Sequence, residues 1–483
     1  MPMKTDILII GGGVAGTAIA RELSKYQLDV VLAEKEADVG WGQSKASYAI
    51  CHPGARWAPG TLAQEMIAEA NGIMNQFIDD LDVEFKRTGE LALAFNNDEL
   101  NVLKIIKKQG EQIKVPDLEI IGRDEIKRLE PRANPNAVAA LYMPSAGLFN
   151  PFDLVHALFE NARDNGVRMI LNTKVVGIVA ENEQFTVDTD QGEIQTSYIV
   201  NASGLYAQKV AQMVGADDFE ISYATKSTCI ILDSSLGDIV SHIITGFADL
   251  QKYTSFKLVM PTYGGNILIY TPIPVPAHGI DDCNVERDTF ERIIVSARSL
   301  LPGVDYEKSI IASYSGKGAR INRNDFIIEA SKKNKAFINV ALPAPALTCS
   351  PVIGRRVVKI LRDCGVSVQR KVDFNSRRVK KPCLRNASLD QIRVLTEEDP
   401  RYGRIVCRCE KVTEGEIGDA IKRGAATLDG VKFRTRAGMG KCQGNYCCMK
   451  VTEILARELK QPLKSITKKG PGSNILIPDN DDF

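Results

Sequence analysis

Apolar positions near the amino terminus fall in short blocks cut by glycine. Asp6-Ile-Leu-Ile-Ile10 is a run of the length and continuity of a buried strand. It passes directly into Gly11-Gly-Gly13-Val-Ala-Gly16, then into a stretch from Thr17 to Tyr26 with helical spacing, and a second apolar run, Val30-Val-Leu-Ala33, ends at Glu34. The three glycines have separable tasks: Gly11 permits the tight turn, Gly13 lets the backbone approach a pyrophosphate, and Gly16 allows helix and strand to pack closely. The helix N-terminus then faces phosphates and Glu34 accepts hydrogen bonds from a ribose. A GxGxxG alone is an ordinary turn; with strand, helix, second strand and terminal acid in register it predicts a dinucleotide site.

Further along, helical spacing over residues 61–80 and a strand over 90–95 precede Asn150-Pro-Phe-Asp153, where Asn150 reads as a cap and Pro151 as the first turn of a helix to about Asn165. Residues 167–171, 173–179, 186–189 and 197–202 read as strands, the last ending at Gly204. Residues 222–272 change texture, with β-rich runs such as Thr228-Cys-Ile-Ile-Leu232 and Phe256-Lys-Leu-Val-Met260 broken by turn residues, which predicts an antiparallel sheet. Residues 336–340 return to the buried-strand type, and 351–364 read as a helix. From about 365 to 404 the chain is basic and irregular, with Arg370, Lys371, Arg377, Arg378, Lys380 and Lys381, and reads as a solvated linker able to meet an acidic partner.

A chain of 483 residues has room for two or three domains, and 44% hydrophobic with 25% charged residues is a globular balance. A net charge of +1 offers no argument for nucleic acid or an anionic membrane. No apolar run is long enough for a membrane span, and the first one has no cleavage region of a signal peptide. Eleven cysteines, with Cys51, Cys229, Cys283, Cys349, Cys364 and Cys383 scattered singly, fit a reducing cytoplasm.

The remaining five cysteines are grouped, with Cys448 directly after Cys447. Cys407-Arg-Cys409 and Cys442-Gln-Gly-Asn-Tyr-Cys447 bring four thiols at paired spacing into one short segment, which calls for a metal. Structural zinc commonly takes ligands two to four residues apart, whereas a Cys-x-Cys pair with a later Cys-x4-Cys pair suits the two irons of a [2Fe–2S] centre. A disulfide framework is the remaining alternative.

Several of these segments carry a resemblance. The glycine fingerprint, Ala146-Gly-Leu-Phe-Asn-Pro-Phe-Asp-Leu154, Val200-Asn-Ala-Ser-Gly-Leu-Tyr206 and Phe337-Ile-Asn-Val340 resemble the D-amino-acid-oxidase superfamily of FAD enzymes over roughly residues 4–365. Cys407-Arg-Cys-Glu-Lys-Val-Thr-Glu-Gly-Glu416, with Leu428-Asp-Gly-Val-Lys432 and Arg434-Thr-Arg-Ala-Gly-Met-Gly-Lys-Cys-Gln-Gly444, is similar to the bacterioferritin-associated-ferredoxin-like [2Fe–2S] domain. In this order the two resemble the large subunits of anaerobic glycerol-3-phosphate dehydrogenases. The implied fold is α/β: a Rossmann-like FAD-binding domain with an antiparallel β-rich substrate domain, and a small C-terminal α-helical [2Fe–2S] domain. Residues 1–365 form the FAD and substrate region, its substrate sheet mainly in 80–150 and 220–315. A basic linker occupies 366–404, the [2Fe–2S] domain 405–465 and a tail 466–483.

The resemblance implies FAD at Gly11, Gly13, Gly16 and Glu34, with Ser44 and Lys45 beside the pyrophosphate and ribityl chain. Val175 is implied at the adenine, Ala202 and Gly204 at a second flavin-contacting turn, and Thr348 near the isoalloxazine. It implies Cys407, Cys409, Cys442 and Cys447 as cluster ligands. Cys51-His-Pro-Gly-Ala-Arg-Trp57 is similar to a His-x-Gly-x-Arg segment near the flavin, which puts His52 by the ring and Arg56 by an anionic substrate group. His52 either assists deprotonation or packs under the flavin, and Arg56 otherwise reads as a surface salt-bridge residue. In Ser315-Gly-Lys-Gly-Ala-Arg320, Lys317 and Arg320 compete for the anion. His156 reads as structural, and His242 and His278 match no motif. Ala346 stands where such enzymes carry a glycine, which unsettles the substrate more than the cofactor.

Three functions follow. The first is a dehydrogenase of a small anionic hydroxy compound, glycerol 3-phosphate or a 2-hydroxy acid, passing hydride to FAD and electrons to the cluster and a redox partner. The second oxidises an amino or imino acid or an opine. The third is a non-catalytic electron-transfer subunit. The implied partners are a second flavoprotein and a small metal-binding subunit.

Overall fold

Two sheets set back to back with their helices explain where the apolar runs go. The structure is a computed structural model that describes residues 2–181, 184–222, 225–252, 255–273, 275–276, 279–323, 325–380 and 383–477; His278 and Lys381 lie outside these. In the first sheet the order is Val175–Glu181, Gln184–Thr189, Gly192–Asn201, Met3–Ile10, Val30–Ala33 and Arg168–Ile170. Phe337–Ala341 joins Gly192–Asn201 in parallel, and Ile327–Ala330 pairs antiparallel with Phe337–Ala341. Met3–Ile10 has parallel neighbours on both sides, which is why its Ile7, Leu8 and Ile9 are apolar without alternation: both faces are covered. One face packs on helices Val14–Leu23, Leu62–Leu81, Pro151–Asp164 and Ala346–Asp363; the other is filled by Ile178, Phe185, Phe219 and Phe337.

The helix ends are set by local sequence. Thr61 accepts from the Gln64 N–H and Asn150 from the N–H groups of Phe152 and Asp153, with Pro151 in the first turn. Two starts differ from expectation. The first helix begins at Val14 rather than Thr17, because the glycine turn itself winds into it. The last one begins at Ala346, five residues before Pro351, which lies inside it and forgoes one backbone bond.

The second sheet runs Thr225–Leu232, Ile267–Tyr270, Phe256–Pro261, Ile243–Phe247, Glu90–Ala94, Ala139–Met143 and Glu119–Gly122, with Ile310–Gly316 also on Thr225–Leu232. Its pairs are antiparallel except Ile243–Phe247 against Glu90–Ala94, the seam where two distant parts of the chain join. A three-stranded ribbon of Ile50–Cys51, Gly147–Phe149 and Phe85–Arg87 links the two sheets.

The segment 366–404 is mostly exposed or half-buried, but two of its basic residues turn to the chain itself. Arg378 is buried, bonded to Glu160 at 2.7 Å and Asp153 at 3.0 Å, and Lys380 meets Asp153 at 2.9 Å. Arg378 and Lys380 therefore meet acids of the chain's own helix Pro151–Asp164, and a capped helix, Leu389–Glu398, follows. Residues 466–477 pack back on the C-terminal domain. Ile466 is in the core of the C-terminal domain, and the carbonyls of Thr467 and Lys468 accept from Leu428 and Asp429. That domain is a short hairpin, Ile405–Cys407 with Val412–Thr413, and helices Glu414–Lys422, Leu428–Thr435 and Cys448–Leu459 around Ile417, Val431 and Leu455.

Candidate functional site

The nucleotide cradle is made of backbone. Gly11 has φ +105°, and a Cβ there would stand 2.6 Å from the Ala202 carbonyl; a Cβ on Gly16 would stand 1.9 Å from the Gly11 carbonyl. The Ala202 N–H donates to Ile10 at 2.9 Å, so the second turn, Ala202 to Gly204, lies alongside the first. The Ser44 hydroxyl accepts from the Val14 N–H at 3.0 Å, holding the loop 40–46 over the helix N-terminus. Glu34 is buried with its carboxylate on the N–H groups of Gly12 at 2.6 Å and Glu36 at 2.9 Å, and burial raises its pKa. The Thr173 N–H bonds the Glu34 carbonyl, which brings Val175 to the same end of the sheet. The Lys45 ammonium rests 5.5 Å above the Trp41 ring.

These features fit FAD. Two backbone turns too tight for a side chain, an open helix N-terminus and a buried acid at the end of the second strand would hold pyrophosphate and ribose.

A second region, the chamber, is built of side chains from the second sheet, the segment 48–57 around the ribbon and the N-terminus of helix Ala346–Asp363. The His52 N–H donates to the Thr348 hydroxyl at 3.1 Å, which itself donates to Ile50, so the N-terminus of helix Ala346–Asp363 is tied to the ribbon. The His52 ring packs edge-on against Trp57 (4.9 Å between centroids), Phe256 (6.2 Å) and Tyr48 (6.4 Å). Burial, then the Arg56 charge, pushes its pKa to about 3. Arg56 is no surface residue: it is buried, ion-paired with Glu90, bonded to the Thr245 hydroxyl at 2.9 Å and stacked 4.9 Å over Phe256. Lys317 is also buried, its ammonium on the Gly279 carbonyl, while its own carbonyl accepts from Gln43 at 2.8 Å. Arg320 differs: it is exposed on the ribbon Ile221–Ser222 with Arg320–Ile321, and its charge reaches Tyr270, which packs 5.2 Å from Tyr48. Thus His52 and Arg56 are buried together on Phe256, Arg320 is exposed apart from them, and Lys317 belongs to the loop contact with Gln43.

The four grouped thiols stand as two pairs. Cys409 Sγ is 3.6 Å from Cys442 Sγ, close to the roughly 3.7 Å between two thiolates on one tetrahedral metal at about 2.3 Å. Cys407 and Cys447, both buried, bond one another; that bond, with N–H groups of Gly438 and Glu410, draws the Cys407 thiol down to about 6. All four are free thiols, and among the described residues no three His, Cys, Asp or Glu groups gather around a single ion. Paired ligands with N–H donors to sulfur fit a two-iron cluster better than one zinc.

Sequence reasoning missed the residues that dock this domain. Phe433 stacks on Phe152 at 4.4 Å and meets the edge of Trp41 at 6.1 Å. Arg434 is ion-paired with the buried Asp38, whose pKa, against the pull of burial, is held well below the carboxylate range chiefly by the Arg434 charge; the His156 ring lies 3.7 Å away. His156 is thus structural, and burial keeps it neutral. Arg436 reaches Asn266 at 2.9 Å. Since Trp41 belongs to the loop 40–46 over the helix N-terminus, the thiol domain contacts that loop directly. Glu90, a lone acid in the apolar run Glu90-Leu-Ala-Leu-Ala94, was the one signal of a buried partner in the chamber. His242 is held by Glu130 at 2.8 Å, outside this site.

Residues 6–360 match the family described as FAD dependent oxidoreductase, and residues 405–457 match the BFD-like [2Fe-2S] binding domain. A glycerol 3-phosphate dehydrogenase of Caloramator mitchellensis is 40% identical over 98% of both chains. An anaerobic glycerol-3-phosphate dehydrogenase subunit of Escherichia coli is 24% identical over 94% of this chain and 88% of its own. Among solved structures, the L-alpha-glycerophosphate oxidase of Mycoplasma pneumoniae with FAD bound superposes with a TM-score of 0.72 at 25% identity, over 78% of this chain and 98% of that one. The L-proline dehydrogenase of P. horikoshii shares the fold, at a TM-score of 0.67 and 20% identity over 76% of this chain and 96% of that one. The chain belongs to the FAD dependent oxidoreductase family and is a flavoenzyme with a BFD-like [2Fe–2S] domain at its C-terminal end.

Proposed function

We propose that the protein is a glycerol-3-phosphate dehydrogenase that hands its electrons to the [2Fe–2S] domain and then to a partner. The observation that carries this is the 40% identity, over 98% of both chains, to a glycerol 3-phosphate dehydrogenase. FAD supplies a two-electron hydride acceptor when bound, and the cluster takes electrons singly. The substrate loses a hydride from C2 and a proton from its C2 hydroxyl and leaves as dihydroxyacetone phosphate.

The chain's own residues divide that work. Arg320 meets the phosphate, since an exposed guanidinium needs no buried partner broken to reach it. Arg56, held by Glu90, fixes the Phe256 and His52 wall. His52 is neutral at pH 7 and accepts the hydroxyl proton on an imidazole nitrogen. A base held at about 3 is weak, and the phosphate's negative charge nearby strengthens it. Docking of Phe433 and Arg434 on Trp41 and Asp38 keeps the cluster domain against the loop 40–46. Among the described residues no helix is long and apolar enough to cross a membrane. A cytoplasmic location, with electrons passing on to a second flavoprotein and a small metal-binding subunit, completes the reading.

The test is anaerobic bleaching of the bound flavin by glycerol 3-phosphate, with lactate, 2-hydroxyglutarate and proline as comparators. Bleaching by glycerol 3-phosphate alone is expected, and Arg320→Gln should raise KM about 100-fold, roughly 2.7 kcal/mol of lost phosphate contact. An FAD-loaded enzyme that glycerol 3-phosphate leaves yellow defeats the proposal.

A further inference from the structure

On the side of the FAD domain away from the glycine turn, a cavity of about 430 Å³ opens between helices Val14–Leu23, Leu62–Leu81 and Ala346–Asp363 and the strap 370–376. Its charged lining is Arg21, Lys25, Arg355, Arg370 and Lys371, against the single carboxylate of Asp80. Lys25 is neutralised by Glu22 at 2.6 Å, and Arg355 lies 3.9 Å from Glu69. Arg21, Arg370 and Lys371 have no carboxylate within ion-pair distance among the described residues.

Arg21 is the informative one. It is only 7% exposed, and its hydrogen bonds go to neutral groups, the Asn161 side-chain oxygen at 3.0 Å and the Ser376 carbonyl at 3.2 Å. Burial lowers its pKa, the direction expected of a cation lacking a full counter-charge. A helix C-terminus accounts for one such cation in its last turn. It does not account for Arg370 and Lys371, which are brought in from a segment about 350 residues away in sequence by the strap, where the Lys371 N–H donates to the Lys25 carbonyl and its ammonium to the Asn165 carbonyl at 2.8 Å. Two rings share the lining: Phe77, on helix Leu62–Leu81, lies under Arg21 at 5.4 Å, and Phe374, on the strap itself, under Lys25 at 5.8 Å.

The geometry points to a second ligand site: this cavity binds a small phosphorylated metabolite, its phosphate among Arg21, Arg370 and Lys371 and its apolar portion between Phe77 and Phe374. Guanidinium forks and an ammonium lining one cavity from separate segments are the kind of donor set phosphate oxygens take, and the volume is that of an ordinary small-ligand pocket. The site is separate from the cradle. Arg21 sits about 10 Å along the helix from Val14, at 1.5 Å per residue, and no lining residue belongs to the glycine turn or the chamber.

Calorimetric titration of the FAD-loaded full chain with AMP, inorganic pyrophosphate and adenosine tests this. AMP should bind once per chain and more tightly than pyrophosphate, and adenosine should give no saturable heat. In Arg370→Gln/Lys371→Gln the AMP Kd should rise at least about tenfold, the effect of two lost charge-assisted contacts, with flavin content and melting temperature unchanged. If the double variant fails to load FAD, Arg355→Gln, at a half-exposed position, replaces it with a smaller expected rise. The inference is overturned if neither AMP nor pyrophosphate saturates the protein at millimolar concentration, if adenosine binds as tightly as AMP, or if charge removal leaves the Kd where it was.

Discussion

The cradle and the chamber are built on opposite principles. The cradle is backbone: Gly11 against Ala202, Gly16 against Gly11, N–H groups of Gly12 and Glu36 on one carboxylate. The chamber is side chains from remote segments, with Arg56, Glu90 and Thr245 meeting across the seam of the second sheet and His52 tied to Thr348. Backbone surfaces fail abruptly, because a methyl either fits or does not. Side-chain surfaces fail by degrees, in proportion to the charge or hydrogen bond removed.

The largest expected effect tests the first half of that contrast. Gly16→Ala places a Cβ 1.9 Å from the Gly11 carbonyl, so purified protein should carry almost no FAD by absorbance ratio; normal flavin content would mean the turn can open. In the chamber, Glu90→Gln removes the carboxylate of a buried guanidinium and should cost about 3 kcal/mol in urea unfolding while FAD stays bound. A cost under about 1 kcal/mol would assign Arg56's main support elsewhere.

A third expectation concerns pH. The folded-state pKa of His52, about 3, lies below its ordinary value of 6.5, so the unfolded chain takes up a proton that the chamber refuses. Its contribution is complete above pH 6.5 and is lost as pH falls, by about 2 kcal/mol at pH 5. Unfolding free energies of wild type and His52→Gln should converge by that amount between pH 7.5 and 5; parallel curves would show a ring already solvated. The smallest effect returns to the cradle: Ser44→Ala removes one bond to the Val14 N–H and should cost about 1 kcal/mol, read as a small drop in melting temperature with FAD retained.

The same contrast decides what was legible in the sequence. Glycine spacing states a backbone requirement outright, so the tight turns at Gly11 and Gly16 could be read directly, as could the helix starts at Asn150 and Thr61. Paired thiols were equally plain. Arg56 was not, because an arginine pattern carries no sign of whether its partner is solvent, substrate or a strand 34 residues away. Arg378 and Lys380 read as solvated for a related reason: composition counts charges on one segment and says nothing of Asp153 and Glu160 waiting on another. Pro351 misled by favouring a helix start that the chain places at Ala346.

Those last charges have a mechanical consequence. A tether lets a carrier domain swing, so that transfer waits on each encounter and slows as the solvent thickens. Here Arg378 is clamped between two acids, Lys380 between Asp153 and Glu84, and Arg434 on Asp38 closes the far end. The segment is a buckle with both ends fastened. The second cofactor's domain rides as a fixed outboard station, and traffic between the two centres within one chain should be indifferent to viscosity.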